Sequence, residues 1–207
     1  MHALVEELVR SGALKTPRLI EAMKAVDRRF FVRADMVDLS YLDDALPIGE
    51  GQTISQPSTV AFMLELLSPE PGNKVLDVGS GSGWQSCLLA HAVGEKGKVV
   101  AVELIPKLKE FGERNAKIYH FTNVRFIAAD ASKGFPEEAP FDRIIAAAAG
   151  DTVPEAWKRE LAIGGRMVLP VGGSVFVLVK KGADEFETVE YPGFAFVPLV
   201  TRRTLKR

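Results

Sequence analysis

The chain has 207 residues, with 26 Lys and Arg set against 27 Asp and Glu for a formal net charge of −1. That length suits one domain with a sizeable apolar core, and the cancelled charge leaves no global field to draw it to nucleic acid or an anionic membrane. The one cysteine, Cys87, excludes an intrachain disulfide and a cysteine-based zinc site; it suits a reducing compartment, so a cytoplasmic location is expected.

In chain order, "MHALVEELVR" carries Leu4, Val5, Leu8 and Val9 at helical spacing. Glu6, Glu7 and Arg10 interrupt its apolar positions, which is unlike a signal peptide. No apolar run approaches a bilayer span, so a soluble protein is expected. "TPRLIEAMKAV" predicts a second helix with Thr16 as N-cap and Pro17 at its first position. In "GQTISQPSTVAFMLELL", Gly51 to Leu67, a third helix starts with Ser55 or Gln56 as cap and Pro57 next. Val60, Met63, Leu64 and Leu67 form its core face, and Asp43 and Asp44 read as loop and capping acids.

From Asn73 on, β-rich runs alternate with helical ones: "KVLDV", a helix from about Trp84, "KVVAVE", a helix after Pro106, "VRFIAAD" and "FDRIIAAAA". That alternation predicts right-handed βαβ units and an α/β, doubly wound, mostly parallel sheet with helices on both faces. A short helix at "VPEAWKREL" is expected to end at Gly164 and Gly165. "RMVLPV", "SVFVLVKK" and "FETVEY" then predict sequential strands in an antiparallel C-terminal part. The basic tail, Arg202, Arg203, Lys206 and Arg207, reads as a solvated terminus. One domain over 1–207 is expected: an N-terminal helical and active-site segment (1–70), a cofactor-binding core (71–170), and C-terminal strands with a substrate-side segment (171–207).

"VLDVGSGSGWQS" places a buried-strand pattern directly before Gly79, Gly81 and Gly83. Such side-chain-free positions let a ligand lie against the backbone at the strand end. Glu103, roughly twenty residues past the loop, ends the second strand of the alternating series, where a carboxylate can accept from both hydroxyls of a ribose. Asp130 ends the third in the same way. An adenosyl ligand follows, and charge selects among such ligands: a pyrophosphate disfavours Asp77 beside the loop, whereas S-adenosylmethionine has no phosphate and is cationic at its ammonium and sulfonium.

"VLDVGSGSGW", Glu103 and Asp130 resemble the cofactor motifs of class I S-adenosylmethionine-dependent methyltransferases. The resemblance implies cofactor binding by Asp77, Gly79, Ser80, Gly81, Gly83, Glu103, Asp130 and Ala131, with S-adenosylhomocysteine as product and no metal. "ALPIGEGQTISQP", with "PFDRIIAAAAGDTVPEAWKREL", "GGRMVLPVG" and "FVPL", resembles the protein-L-isoaspartate O-methyltransferases over most of the chain. Ser58 and Trp84 depart from the residues common there. This likeness implies methyl transfer to the free α-carboxyl of isoaspartyl residues in damaged proteins and peptides, with Ser55 as catalytic residue. Thr53, Ile54 and Val197 are the implied substrate-binding positions, and "FVPL" the segment closing over the substrate. A monomer that binds neither nucleic acid nor membrane is expected. The alternatives are a methyltransferase on another carboxylate or hydroxyl, or a non-catalytic adenosyl-ligand-binding protein.

Chemistry agrees with so sparse a site. A carboxyl with a pKa of about 3.5 to 4 is already ionised at neutral pH and needs no general base. Between Arg33 and Lys74 there is no Lys or Arg, and an ion pair to the acceptor would stabilise the ground state more than the transition state. His91 and His120 have no partner at metal-ligand spacing, and Cys87 reads as a packing residue.

Overall fold

The structure, a computed structural model, describes residues 1–201; the basic tail lies outside the described residues. Helices α1 (His2–Arg10) and α2 (Pro17–Ala25) open the chain. A hairpin of β1 (Leu46–Gly49) and β2 (Gln52–Ile54) follows, then helix α3 (Pro57–Leu67). The alternating region supplies β3 (Lys74–Val78), α4 (Trp84–Val93), β4 (Lys98–Glu103), α5 (Pro106–Ala116), β5 (Val124–Ala128), β6 (Phe141–Ala146) and α6 (Glu155–Glu160). It closes with β7 (Leu161–Val171), β8 (Ser174–Lys180) and β9 (Phe186–Pro192).

The last seven strands form one sheet in the order β5-β4-β3-β6-β7-β8-β9. Strands β3 to β7 run parallel, with Asp77 opposite both Ala101 and Ile145. Strands β7, β8 and β9 pair antiparallel, as the C-terminal runs predict. Val75 to Val78 are all buried, which is why "KVLDV" reads as a continuous apolar run broken only by Asp77: a parallel strand is covered on both faces. Strand β9, mostly exposed and carrying Glu187 and Glu190, closes the sheet with a charged edge that discourages further pairing.

Helices lie on both faces, but unequally. One face packs α1 to α5 through residues such as Leu19, Met23, Leu64 and Leu88. The other is covered by α6 and short 3-10 turns, through Trp157, Ala156 and Ala131. Strands β3 and β6 are neighbours whose chains depart to opposite sides, toward β4 and β7 respectively. Their carboxyl ends therefore border a crevice where ligands bind in open α/β sheets. No helix among the described residues is long and apolar enough to cross a membrane.

One local expectation holds in position but not in its bonding, and a second is corrected. Thr16 occupies the N-cap of α2 without a capping side-chain bond. Its hydroxyl donates to Glu65 (2.7 Å), whose carboxylate also accepts the Lys15 and Thr16 N–H groups, so an acid on α3 fixes the start of α2. Helix α6 stops before Leu161, not at the glycines, and the chain turns directly into β7. Gly164 and Gly165 lie in a bulge of β7, where pairing jumps from Phe141–Leu161 to Arg143–Arg166. A Cβ on Gly165 would stand 2.7 Å from the Ala162 carbonyl, so the bulge needs glycine there.

The end of α6 is instead held by Lys180 of β8. Its buried ammonium donates to the carbonyls of Lys158 (2.8 Å), Arg159 (3.3 Å) and Leu161 (2.8 Å), placing a cation at the negative end of the helix. Lys180→Met is expected to lower folding stability by about 3 kcal/mol, because it strands buried carbonyls. Urea unfolding at neutral pH checks this.

Candidate active site

The loop from Gly79 to Gly83 turns sharply at three glycines with positive φ: Gly79 (78°), Gly81 (49°) and Gly83 (84°). Four of its five N–H groups are spent inside the protein. Those of Gly79 and Ser80 go to the Val102 carbonyl, that of Gly83 to the Ser80 carbonyl, and that of Gly81 to Glu103 Oε2 (3.0 Å). A phosphate cradle needs such donors free, so the loop suits a ligand without phosphate, as the charge of Asp77 and Glu103 also requires.

The Glu103 carboxylate, 7% exposed, accepts from the Gly81 and Ile105 N–H groups, one on each oxygen. Each oxygen keeps further acceptor capacity, and the residue faces a cavity of about 590 Å³ measured out to its open mouth. Gly79, Gly81, Leu104, Ile105 and Ala131 contribute to its walls, and Ser132 a hydroxyl. Next to it the Ser80 hydroxyl is buried without a hydrogen-bond partner among the described residues, a polar atom left for a ligand or water. An apolar slot with a carboxylate at its middle and no phosphate cradle fits S-adenosylmethionine.

A second cavity lies beyond the hairpin, lined by Ala45, Ser55, Gln56, Thr59 and Phe196 together with Thr53, Ala147 and Val197. The last three line the first cavity as well, so the two spaces meet at them. No charged side chain lines the second cavity. The half-buried Ser55 hydroxyl makes no hydrogen bond to another described residue. Val197 is held by its backbone: the Ala149 N–H donates to the Val197 carbonyl (2.9 Å), and the Leu199 N–H donates back to Ala149 (2.7 Å). "FVPL" is thus an extended segment strapped to the end of β6, stiffened by the packing of Phe194 and Phe196 and the stack of Phe194 on Phe62 of α3.

Comparison with known proteins points the same way. A family model described as Protein-L-isoaspartate(D-aspartate) O-methyltransferase (PCMT) matches residues 1–204. The chain belongs to this family. A protein-L-isoaspartate O-methyltransferase of Methanopyrus kandleri is 45% identical over 202 residues, 95% of this chain and 89% of that one. Another, of Aeropyrum pernix, is 44% identical over 205 residues, 95% of this chain and 78% of that one. A Plasmodium falciparum crystal structure, assigned as a protein-L-isoaspartate O-methyltransferase in complex with S-adenosyl-L-homocysteine, superposes with a TM-score of 0.86 at 25% identity. The match covers 96% of this chain and 97% of that one.

In this member of the family the expected site residues separate into layers. Gly79, Gly81, Glu103, Ala131, Thr53 and Val197 reach the cofactor cavity; Ser80, Ile54 and Ser55 line the space between it and the acceptor side. Three of the implied cofactor positions, Asp77, Gly83 and Asp130, line none of these spaces. Asp77 is fully buried beneath the loop, accepting from Gln85 Nε2 (2.8 Å) and Ser86 Oγ (2.6 Å), so it ties the loop to α4. Gly83 faces α5, where a Cβ would stand 2.8 Å from the Gly112 carbonyl; it permits helix packing instead of ligand approach. Asp130 lies off the cavity wall and caps the following turn through the Ser132 N–H and hydroxyl, leaving Ala131 and Ser132 to line the cavity.

Gln56 is the N-cap of α3, one of the two residues expected there, but its side chain makes no cap bond; Asp43 supplies it by accepting the Ser58 N–H (2.7 Å) and also accepts from the Gln56 side-chain amide (3.2 Å). The hairpin was not expected from the sequence. Its turn residues Glu50 (φ 53°) and Gly51 (φ 71°) both lie in the left-handed region, the requirement of a two-residue turn. Ile48 of that hairpin roofs the glycine loop, 3.2 Å from where a Gly81 Cβ would stand. Cys87 is buried and free, and no group of three or more His, Cys, Asp or Glu among the described residues is placed to hold a metal.

Burial raises the Asp77 carboxyl from its ordinary 3.8 to about 6, against the opposing hydrogen bonds from Ser86 and Gln85. Between those values the folded state holds the proton more tightly than the unfolded state. Stability from this group therefore falls as pH rises from about 4 to about 6, and is level above that. Asp77→Asn removes the titration. In urea unfolding across pH 4 to 8, the variant's stability relative to wild type is expected to rise through that window and then stay constant.

Proposed function

We propose that the chain transfers a methyl group from S-adenosylmethionine to the free α-carboxyl of L-isoaspartyl residues in damaged proteins and peptides, initiating their repair. The observation that carries this reading is the uncharged acceptor cavity, containing an unengaged Ser55 hydroxyl, which meets the cofactor cavity at Thr53, Ala147 and Val197. S-adenosylmethionine, when bound, supplies a methyl group activated by a sulfonium.

The acceptor carboxylate is ionised at neutral pH, so no side chain need take a proton. What the chain must do is orient and desolvate. Ser55 donates a hydrogen bond to one carboxylate oxygen and leaves the other free to take the methyl. A neutral donor holds the anion without the ground-state stabilisation of an ion pair, which would vanish as the ester forms. Val197 and Thr53 close the passage between the cavities and exclude water from it. Alignment of the two reactants then supplies most of the acceleration. The ester carbonyl is a better electrophile than the carboxylate, so attack by the backbone nitrogen breaks the bond to the methoxy group, which leaves as methanol with the nitrogen's proton, and closes a succinimide.

Glu103 accepts the ribose hydroxyls in this reading, while Gly79, Ser80 and Gly81 border the methionine part and Ala131 the adenine end. Asp77, Gly83 and Asp130 act behind them, on the loop and turn that these residues form. We further place the protein in the cytoplasm, supported by the buried, unpaired Cys87. We also take the chain to act as a monomer.

Wild-type protein, labelled S-adenosylmethionine and matched isoaspartyl and aspartyl peptides are expected to yield a base-labile ester on the isoaspartyl peptide alone. Label on neither peptide overturns the reading. Ser55→Ala is expected to lower kcat by about tenfold or more while the Kd for S-adenosylhomocysteine, measured by calorimetry, stays within about twofold.

A further inference from the structure

Arg28 carries the one guanidinium that is completely buried among the described residues. It follows Asp27 in a short 3-10 turn, far in sequence from the acceptor segment. No carboxylate among the described residues forms an ion pair with it. Its Nη1 donates to the carbonyls of Ser40 (2.8 Å) and Leu42 (3.4 Å), and its Nη2 to those of Asp44 (2.8 Å) and Ser55 (3.1 Å). The group lies over the Trp84 ring, 5.4 Å from its centroid. Burial lowers its pKa to about 10, with Asp43 and Asp44 opposing, so it remains a cation at neutral pH.

A buried cation bonded only to backbone carbonyl dipoles, with Asp43 and Asp44 acting at longer range, is costly if its sole task is packing. One of those dipoles belongs to the peptide joining Ser55 to Gln56. In a trans peptide the carbonyl and the N–H point in opposite directions. With the Ser55 carbonyl turned to Arg28, the Gln56 N–H is turned away from it, and both residues line the acceptor cavity. No described residue accepts from that N–H. Pro57 has none, and the Ser58 N–H is taken by Asp43. A cation bound to the carbonyl also polarises the amide and strengthens its N–H as a donor.

Resting on the acceptor reading above, we propose that Arg28 is a positioning residue for methyl transfer. It fixes and polarises the Ser55–Gln56 peptide, so that the Gln56 N–H joins the Ser55 hydroxyl in holding the acceptor carboxylate. The charge acts through one peptide unit and never pairs with the acceptor. This keeps the orienting benefit of a cation without the ion pair that would stabilise the ground state.

Two sets of variants test this in the full-length chain. Arg28→Lys retains the charge but loses the planar fork that reaches several carbonyls. Gln56→Pro deletes the N–H where the backbone (φ −54°, ψ 132°) already suits proline, and Gln56→Ala controls for the lost side chain. Circular dichroism, the S-adenosylhomocysteine Kd, and kcat and KM on the isoaspartyl peptide are measured for each. Both Arg28→Lys and Gln56→Pro are expected to lose on the order of tenfold or more in kcat/KM, with the S-adenosylhomocysteine Kd within about twofold of wild type. Gln56→Ala keeps the N–H, so Gln56→Pro is expected to fall about tenfold or more below it in kcat/KM. Gln56→Pro matching Gln56→Ala overturns the proposal even if Arg28→Lys does not fold. A folded Arg28→Lys with wild-type kinetics, or one that loses cofactor affinity in parallel with activity, overturns it too. Wild type without activity on the peptide overturns the acceptor reading, and this inference with it.

Discussion

The hydrogen bond from the Gly81 N–H to Glu103 is the constraint on which the site is built. It joins the loop after β3 to the end of β4, and the other Glu103 oxygen fixes the turn into α5 through Ile105. With Gly79 and Ser80 donating to Val102, the loop has consumed most of its own donors. What it presents outward is surface poor in free N–H groups, next to a carboxylate. The choice of a cationic, phosphate-free ligand is thus made by the internal bonds of the loop before any ligand arrives.

The same economy governs the acceptor side. An ionised carboxylate is easily trapped by a basic residue, and the cavity offers only hydroxyls, amides and apolar walls. Yet the fold does not dispense with positive charge. It sets Arg28 one layer back, where four carbonyls receive it and Trp84 covers it. The loop at 40–44 and the start of α3 are thereby pinned to a common point, and Asp43 from that loop caps the helix.

Much of the sheet was legible in the sequence, because strands covered on both faces read as apolar runs ending in turn signals: β3, β4 and β6 follow "KVLDV", "KVVAVE" and "FDRIIA". The hairpin was not. Its strands, four and three residues long with Pro47 inside, are too short to display an alternating pattern, although Glu50–Gly51 is a turn signal. Within the motif the residues were legible and their directions were not. Asp77 turns to α4 and Gly83 to α5, since a glycine that admits a ligand and one that admits a helix are the same letter. Arg28 escaped for a related reason: its partners are main-chain carbonyls, and a carbonyl leaves no trace in composition or charge pattern.

Thr53, Ala147 and Val197 are walls of both cavities, contributed by the hairpin, the end of β6 and the C-terminal strap. In the proposed reading, donor affinity and acceptor range are consequently not separate traits. A substitution at any of the three alters both at once, so a shift toward a bulkier acceptor must be accompanied by repair of cofactor binding elsewhere. Such coupled walls narrow the routes by which the enzyme can drift to a new substrate.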